Sequence, residues 1–454
     1  MSIDNKSFKE EQLRRIKLID DVFKLVKEKE AKNIDFRFTD SLGEWRQFTI
    51  PVIQLERDIF FEGFNIDGSL ICDWKDIVDS DLTVIPDPAT ARIDTIMDPI
   101  TAILLCDVYD PREKKPFSLD PRSIAKKSIN YLKETEIADN IYIGAESKFF
   151  IFDLNKFVSN EFNEKSEAEN KIKLHPNCDR YGYLFTPPDD ESYFIREQIV
   201  QKLLKADIEV ERHHCESAFA GQNEISFKYS SLIESADIFM VFKNIVRNVA
   251  KSFGKTATFI SKPAFDNLDN TLHVHISLWK KGENIMNGDK YAGLSELALK
   301  FISGILYHIP SLLAFTNPTN DSYNRFIVNK QRMIEISYSV SNRKSAIRIP
   351  ITSNLKRKRI EFRIPDANAN PYLAFSAILM AGIDGVVNNF NIGNQLEVNN
   401  DAKPDNNQNI NVKIPTTLEN AIENLRKDNE YLRAGNVFSE EMINYWINYR
   451  TKNL

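Results

Sequence analysis

The sequence predicts an α+β protein built as two domains. Short strand-like runs crowd residues 33–118, and beyond them helical and strand periodicities mix through a far longer stretch. A chain of 454 residues also exceeds what one core usually organises, at roughly 100 to 200 residues per domain. A boundary near Asp120-Pro121 gives an N-terminal domain over 1–118, a helix followed by a small sheet, and a larger domain over 119–454.

Taken in order, residues 8–30 place Leu13, Ile16, Ile19, Phe23 and Val26 three or four apart among Lys and Glu, which predicts a surface-docked helix. The runs IDFRF, RQFTIPVIQL, DLTVIP and TAILLCDVY, broken by Asp, Pro and Gly, predict the strands of the small sheet. SIAKKSINYLKE then opens a helix with Ser123 as its cap. Two Asn-rich polar stretches, 154–180 and 391–414, read as exposed loops. No internal repeat is present at a solenoid or propeller period.

Composition narrows the function. With 42% hydrophobic and 27% charged residues the chain is globular, not disordered. A net charge of −6 and a pI near 5.7 argue against nucleic acid as the main partner. Cys72, Cys106, Cys178 and Cys215 are scattered without a CxxC pair, so a reducing cytoplasm is expected, with neither a disulfide framework nor a zinc ribbon. The N-terminus MSIDNKSFKEEQLRRIK lacks an apolar secretory core, and apolar stretches such as Ile100 to Cys106 fall short of the roughly 20 residues that span a bilayer. A soluble protein with no membrane partner is expected.

The chemistry is written in strands whose alternate residues are polar, because successive side chains of a strand point to opposite faces. In T271-L-H-V-H-I-S-L278, Thr271, His273, His275 and Ser277 share one face and Leu272, Val274, Ile276 and Leu278 the other. In R359-I-E-F-R-I364, Arg359, Glu361 and Arg363 oppose Ile360, Phe362 and Ile364; in G144-A-E-S-K-F149, Glu146 and Lys148 share a face. Each strand alone also reads as one that faces water. Together they predict a polar floor.

Four of six histidines fall in two clusters, His213-His214 and His273-x-His275, near Glu216 and Glu224. Carboxylate and imidazole ligands suit Mg²⁺ or Mn²⁺ better than zinc, so a divalent metal site is expected. Arg325, Arg343, Arg348, Lys356, Arg357, Lys358, Arg359 and Arg363 lie within about forty residues. Alone, such a run is a solvated basic face; beside a carboxylate site it suits a grip on phosphate or carboxylate, the equipment of phosphoryl transfer. Gly254-Lys255-Thr256 resembles the end of a Walker loop, but Val249 stands where that motif requires Gly.

At this point the chain resembles the glutamine synthetase family in its bacterial form, over nearly its whole length. The resemblance rests on long, ordered segments: FNIDGSLICDWKDIVDSDLTVIPD, GAESKFFIFD, HHCESAFAGQNE, FGKTATFISKP, HVHISLW, GDKYAGLSE, TNPTNDSYNR, SVSNRKSAIRIP and KRIEFRIPDANANPYLAF. It implies an N-terminal β-grasp domain and a catalytic domain with a curved antiparallel sheet funnel and flanking helices. It further implies a homo-oligomeric ring, a hexamer that stacks in some members to a dodecamer, with each site shared between neighbours. Family enzymes use ATP to make an acyl phosphate that ammonia attacks. By position, Glu146, His273 and Glu361 look like ligands of the metal that serves ATP. Glu211, His275, Ser277, Arg348, Lys356 and Arg359 resemble nucleotide contacts, and Arg325, Arg343 and Arg363 resemble substrate and phosphoryl contacts. Asp67 matches the residue that binds ammonium across the subunit boundary, and Trp74 its aromatic neighbour.

The pattern breaks on the acceptor side. The family's second metal sits among three glutamates, of which Glu216 and Glu224 are present and the third is Lys148. An ammonium between two carboxylates would stand where the cation sits, removing one metal site. Gln331 replaces the loop glutamate that takes a proton from ammonium, and an amide has no useful proton affinity near neutral pH. Leu268-Asp269-Asn270-Thr271 replaces a glycine-rich approach to the substrate, so side chains are expected where substrate would lie, with Asp269 either there or paired to Lys148. The chain stops where family members continue by some 20 residues into the opposite ring, and residues 389–416 hold no Tyr for nucleotidylation. The expectation is an ATP- and Mg²⁺-dependent carboxylate-amine ligase for a small-molecule acid or amine other than glutamate and ammonia. The alternative is a non-catalytic paralogue with a structural or regulatory role.

Overall fold

The structure, a computed structural model, describes residues 2–153, 183–216, 221–262, 269–327, 335–391 and 413–452. The two predicted loops and residues 328–334, Gln331 among them, therefore fall wholly or largely outside the described residues. The chain divides into two compact units: residues 1–123 with 202–208, and residues 124–201 with 209–454. Both helices and sheets build them, so the fold is α+β.

The small unit carries helix α1 (Ser2–Glu28) and a sheet of strands β1 (Asn33–Thr39), β2 (Trp45–Pro51), β3 (Phe64–Asp67), β4 (Asp81–Pro86), β5 (Arg92–Ile93), β6 (Thr101–Asp110) and β7 (Lys115–Pro116). Its path is β2-β1-β6-β4-β3, with β5 and β7 beside β6; β1 and β6 run parallel and the other pairs antiparallel. Phe36, Leu82, Val84, Leu104 and Val108 form its fully buried centre. Only part of the expected stripe on α1 docks: Ile19 and Val26 are buried, as is Val22 beside them, Phe23 is half-buried, and Leu13 and Ile16 are 66% and 45% exposed. The first predicted cap also shifts. Helix α3 (Pro121–Glu134), which follows the single turn α2 (Ile59–Glu62), is capped by Asp120, whose Oδ2 accepts from the Ser123 N–H at 3.1 Å. Asp is an equally good cap, and it lies just before the helix, where the first unpaired N–H groups are within its reach.

In the large unit a ten-stranded sheet runs β15-β16-β17-β13-β8-β10-β9. Its members are β8 (Asn140–Asp153), β9 (Val210–Cys215), β10 (Gln222–Phe227), β11 (Ser230–Ser231), β12 (Lys255–Thr258), β13 (Leu272–Lys280), β14 (Glu283–Asn284), β15 (Glu335–Val340), β16 (Ser345–Ile349) and β17 (Ile360–Phe362). The expectation of an antiparallel sheet holds except at one edge, where β15 and β16 are parallel. One face is apolar as alternation requires: Leu272, Val274, Ile276, Leu278, Ile360 and Phe362 have no solvent exposure.

Helices α4 (Tyr193–Lys205), α5 (Leu232–Ser252), α6 (Glu296–Thr316), α7 (Asn320–Ile327), α8 (Pro371–Val387), α9 (Leu418–Lys427), α10 (Glu430–Arg433) and α11 (Glu440–Lys452) complete the unit, α4 ending in the segment grouped with the small unit. Helix α6 corrects the search for apolar stretches: its 21 residues are long and apolar enough to cross a bilayer by composition. Lys300, His308 and Pro310 interrupt its apolar letters, which hid it from a scan for unbroken runs. It is a core helix, with 72% of its apolar window buried. A Cβ at Gly304 would lie 2.1 Å from the Ala381 carbonyl oxygen, so α6 and α8 cross at a distance only glycine permits.

On α6, buried His308 sends Nδ1 to Asp428 Oδ2 (2.9 Å) and Nε2 to Asp384 Oδ2 (3.0 Å), and stacks on Tyr431 at 3.8 Å. Burial works to lower its pKa, but the hydrogen bonds to the two carboxylates prevail and raise it. On α11, Trp446 stacks on Phe315 at 5.2 Å and donates Nε1–H to the Ala314 carbonyl at 3.0 Å.

Candidate active site

Strand register assembles the polar floor. His273 of β13 faces Glu146 of β8, and His275 of β13 faces Glu361 of β17, itself opposite Arg348 of β16. On the other side, Glu224 of β10 pairs with Lys148 of β8 and with His214 of β9. One rung further along, Ser226 lies between Glu146 and Arg212. Residues scattered over more than two hundred positions thus share one surface because each occupies the same parity in its strand.

The first cluster is Glu146, His273 and Glu361. His273 Nδ1 lies 2.9 Å from Glu146 Oε1 and 3.6 Å from Glu361 Oε1, and its Nε2 meets Thr271 Oγ1 at 3.1 Å. Burial, then the Arg363 charge, pushes the His273 pKa down against its bond to Glu146. Burial alone would raise both glutamates. Instead, hydrogen bonds from His273 and His275 hold Glu146 well below the usual carboxylate range, and the charges of the histidines, Arg363 and Arg348 hold Glu361 at about 2. Two carboxylates and an imidazole, with the second ring nitrogen anchored by a hydroxyl, form a donor set of the kind that suits a divalent cation.

Cations border this cluster. Arg348 Nη1 and Arg363 Nη1 pair with the two oxygens of Glu361. Their Nε–H groups are buried and have no acceptor among the described residues. The two guanidinium groups put positive charge beside the carboxylates, which suits an anionic ligand. Arg359 Nε donates to His275 Nδ1 at 3.2 Å, and the Glu211 charge reaches the Arg359 guanidinium. Glu211 falls at a bulge in β9, opposite the Ser226/Phe227 step, which re-aims its side chain.

The second cluster is where the ammonium was expected. Lys148 Nζ lies 3.2 Å from Glu216 Oε1 and 3.5 Å from Glu224 Oε2. His214 Nε2 joins at 3.0 Å from Glu224 Oε1, and ligand-capable atoms of His214, Glu216 and Glu224 lie within 4.8 Å of one another. Burial works against a protonated His214, but its bond to Glu224 prevails and raises its pKa. The two adjacent histidines part company by parity: His213 instead accepts from Arg196 Nε at 3.1 Å and turns Nε2 toward Glu197.

Other predicted residues are placed less centrally. Arg325 on α7 is buried, donating to the carbonyls of Pro365 and Arg363 at 3.4 Å, and it feels the charges of Asp269 and Asp366. Arg343 is exposed in the β15–β16 turn, and among the described residues its side chain has no contact with either cluster. Lys356 is exposed in a single 3-10 turn, and Ser277 Oγ accepts from Trp279 Nε1 at 3.0 Å. Asn270 is fully buried, with Nδ2 bound to the Ile260 carbonyl at 2.9 Å, whereas Thr271 of the same segment faces His273. In the small unit, Asp67 accepts from Ser69 N–H (2.9 Å) and Oγ–H (2.6 Å), bonds that lower its pKa. Trp74 is buried there, donating to Ser41 Oγ at 2.6 Å.

One contributor escaped the sequence reading, and a second was read only as a member of its strand's polar face. Arg212 lies 3.7 Å from Glu224 Oε1 and 4.0 Å from Glu146 Oε2, bridging the clusters, and Thr271 orients His273. Parity would have found Arg212, two residues from His214 on the same strand.

Known proteins resemble this chain over nearly its whole length. Residues 118–454 match the family described as glutamine synthetase, catalytic domain, and residues 30–111 the glutamine synthetase β-grasp domain. Proteins named glutamine synthetase from Aquifex aeolicus and Escherichia coli are 41% and 39% identical over 438 and 443 residues. These alignments cover 94% of this chain in both cases, and 93% and 94% of the respective relatives. Among solved structures, Plasmodium falciparum glutamine synthetase superposes with a TM-score of 0.82 at 27% identity, covering 97% of this chain and 95% of its own. A structure described as apo GmaS without ligand gives 0.79 at 26% identity, covering 94% of each chain.

Proposed function

Because the chain belongs to the glutamine synthetase family, we propose that it is an ATP-dependent ligase that joins a carboxylic acid to an amine through an acyl phosphate. The observation that carries this reading is the placement of the Arg348 and Arg363 guanidinium groups beside a carboxylate–imidazole donor set. A site with both parts suits a magnesium- or manganese-bound triphosphate.

In this reading Glu146, His273 and Glu361 hold Mg²⁺ or Mn²⁺, which supplies charge neutralisation to the triphosphate. Glu211, His275, Ser277, Arg348, Lys356 and Arg359 bind the nucleotide. Arg325 and Arg363 orient the acid, and Arg343 reaches the phosphoryl group from its turn. A carboxylate oxygen of the acid attacks the γ-phosphorus and the bond to ADP breaks. The amine nitrogen then attacks the acyl carbon, the carbon–oxygen bond to phosphate breaks, and the amine proton leaves with phosphate. Asp67, kept ionised by Ser69, attracts the ammonium form of the amine across the boundary to a neighbouring subunit, and that ammonium gives up a proton to water before its nitrogen attacks. We place the protein in the cytoplasm as a homo-oligomeric ring, a hexamer or stacked dodecamer.

The acceptor is proposed to differ from glutamate and ammonia. Lys148 presents a cation where glutamate's own ammonium would need an anion, which suits an acid with an uncharged or negative group there. Asp269 and Gln331 belong to the same altered side. The test is ATP-dependent phosphate release with hydroxylamine trapping across a panel of acids and amines. Turnover with an acid other than glutamate is expected. Glutamine formation at about 1 to 1,000 per second would overturn the altered acceptor. Silence across the panel with tight ATP binding would instead favour a structural or regulatory paralogue.

A further inference from the structure

We propose that Lys148, assisted by Arg212, is the built-in counter-cation of Glu216 and Glu224, so that each protomer binds a single divalent metal, at Glu146, His273 and Glu361. The proposal rests on the ligase reading only in taking that first donor set as the metal site.

Glu216 and Glu224 are 6% and 3% exposed, and two buried carboxylates so close together do not both stay ionised without a positive charge between them. A divalent cation is one solution. It would need carboxylate oxygens at about 2.0 to 2.2 Å, in space that the Lys148 ammonium occupies, with Nζ at 3.2 and 3.5 Å from the same two groups. The His214–Glu216–Glu224 set satisfies the ligand count for a metal, but the ammonium already performs its electrostatic task.

The position of Lys148 is not a side-chain accident. Its backbone is paired directly opposite Glu224, and its N–H donates to the Thr271 carbonyl at 3.0 Å, so the stem starts at a fixed point beneath both carboxylates. Only 17% of the side chain is exposed. Arg212 shares the other oxygen of Glu224 with the nearer His214 and reaches toward Glu146, tying the metal-free cluster to the metal-binding one. Being 61% exposed and screened, it is the lesser partner.

The experiment is the stoichiometry of Mn²⁺ binding to the full-length protein without nucleotide, by calorimetry and by electron spin resonance of free Mn²⁺. One site per protomer is expected, abolished by His273→Ala. Lys148→Glu and Lys148→Gln should each add a second site, the glutamine variant serving if the charge reversal disturbs folding. Two sites in the unaltered protein, or none, would overturn the proposal. So would a count that stays at one in both Lys148 variants, or one that survives His273→Ala. A protein without ligase activity leaves every one of these counts readable, so the two readings fail separately.

Discussion

Replacing His308 with Leu tests the buried polar junction of α6, α8 and the segment after α9. Both ring nitrogens face carboxylates at 2.9 and 3.0 Å, and the side chain is 4% exposed, so the ring sits as an imidazolium between two anions. A hydrogen bond to a charged group contributes about 1.5 to 3 kcal/mol. Asp384 is 20% exposed and Asp428 36%, so solvent screens the second more. We assign about 2 kcal/mol to the first bond and about 1 to the second, or about 3 kcal/mol in all, roughly a 150-fold change in an equilibrium constant. Because the folded-state pKa is raised, the folded protein holds the proton more tightly than the unfolded chain does. The contribution is full below the unfolded value, near 6.5, and is lost as pH rises through the folded value. Hydrogen exchange of the α9 amides, corrected for intrinsic rates, reads this directly. The native protein should be protected about 150-fold more than His308→Leu at pH 6, and the gap should narrow by pH 9. Equal protection at pH 6, or a gap unchanged at pH 9, would refute the imidazolium.

Trp446→Ala removes the stacked partner of Phe315 and a buried N–H bond, and should cost about 3 to 5 kcal/mol in chemical denaturation of the large unit; a loss under about 1 would contradict its role in the core. Gly221 and Gly254 both have positive φ, +76° and +68°, but a Cβ at Gly221 would lie 2.5 Å from the Ile151 carbonyl oxygen whereas Gly254 has nothing within 4 Å. Urea midpoints should therefore place Gly221→Ala below Gly254→Ala by about 1 to 3 kcal/mol, and equal midpoints would remove steric contact as the reason for glycine.

What the sequence made legible was whatever repeats with strand parity. The faces of β13 and β17 follow from alternation, whereas the grouping of Glu146 with His273, and of Lys148 with Glu216 and Glu224, was legible only through the family resemblance. Parity was not pressed far enough at HHCES, where it separates His213 from His214 and brings Arg212 inward. Helix α1 shows a different limit: a regular apolar stripe does not say how much of it will be covered, and Leu13 and Ile16 stay exposed although Arg15 between them donates to the Phe60 carbonyl. Asn270 shows a third, since a polar side chain in a loop can turn inward to satisfy backbone groups, and nothing local in the sequence marks that choice. Asp120 displaced Ser123 as cap because two good capping residues three apart compete for the same N–H groups.

The ladder that carries Glu146, Lys148, Glu224 and His214 has a consequence for how such a protein diversifies. Its geometry is set by main-chain pairing, which no side-chain replacement on the open face disturbs. One codon at position 148 can therefore exchange an anionic tooth for a cationic one while the comb that holds it stays straight. A scaffold of this kind lets new specificities be tried one tooth at a time, without each trial having to re-solve folding.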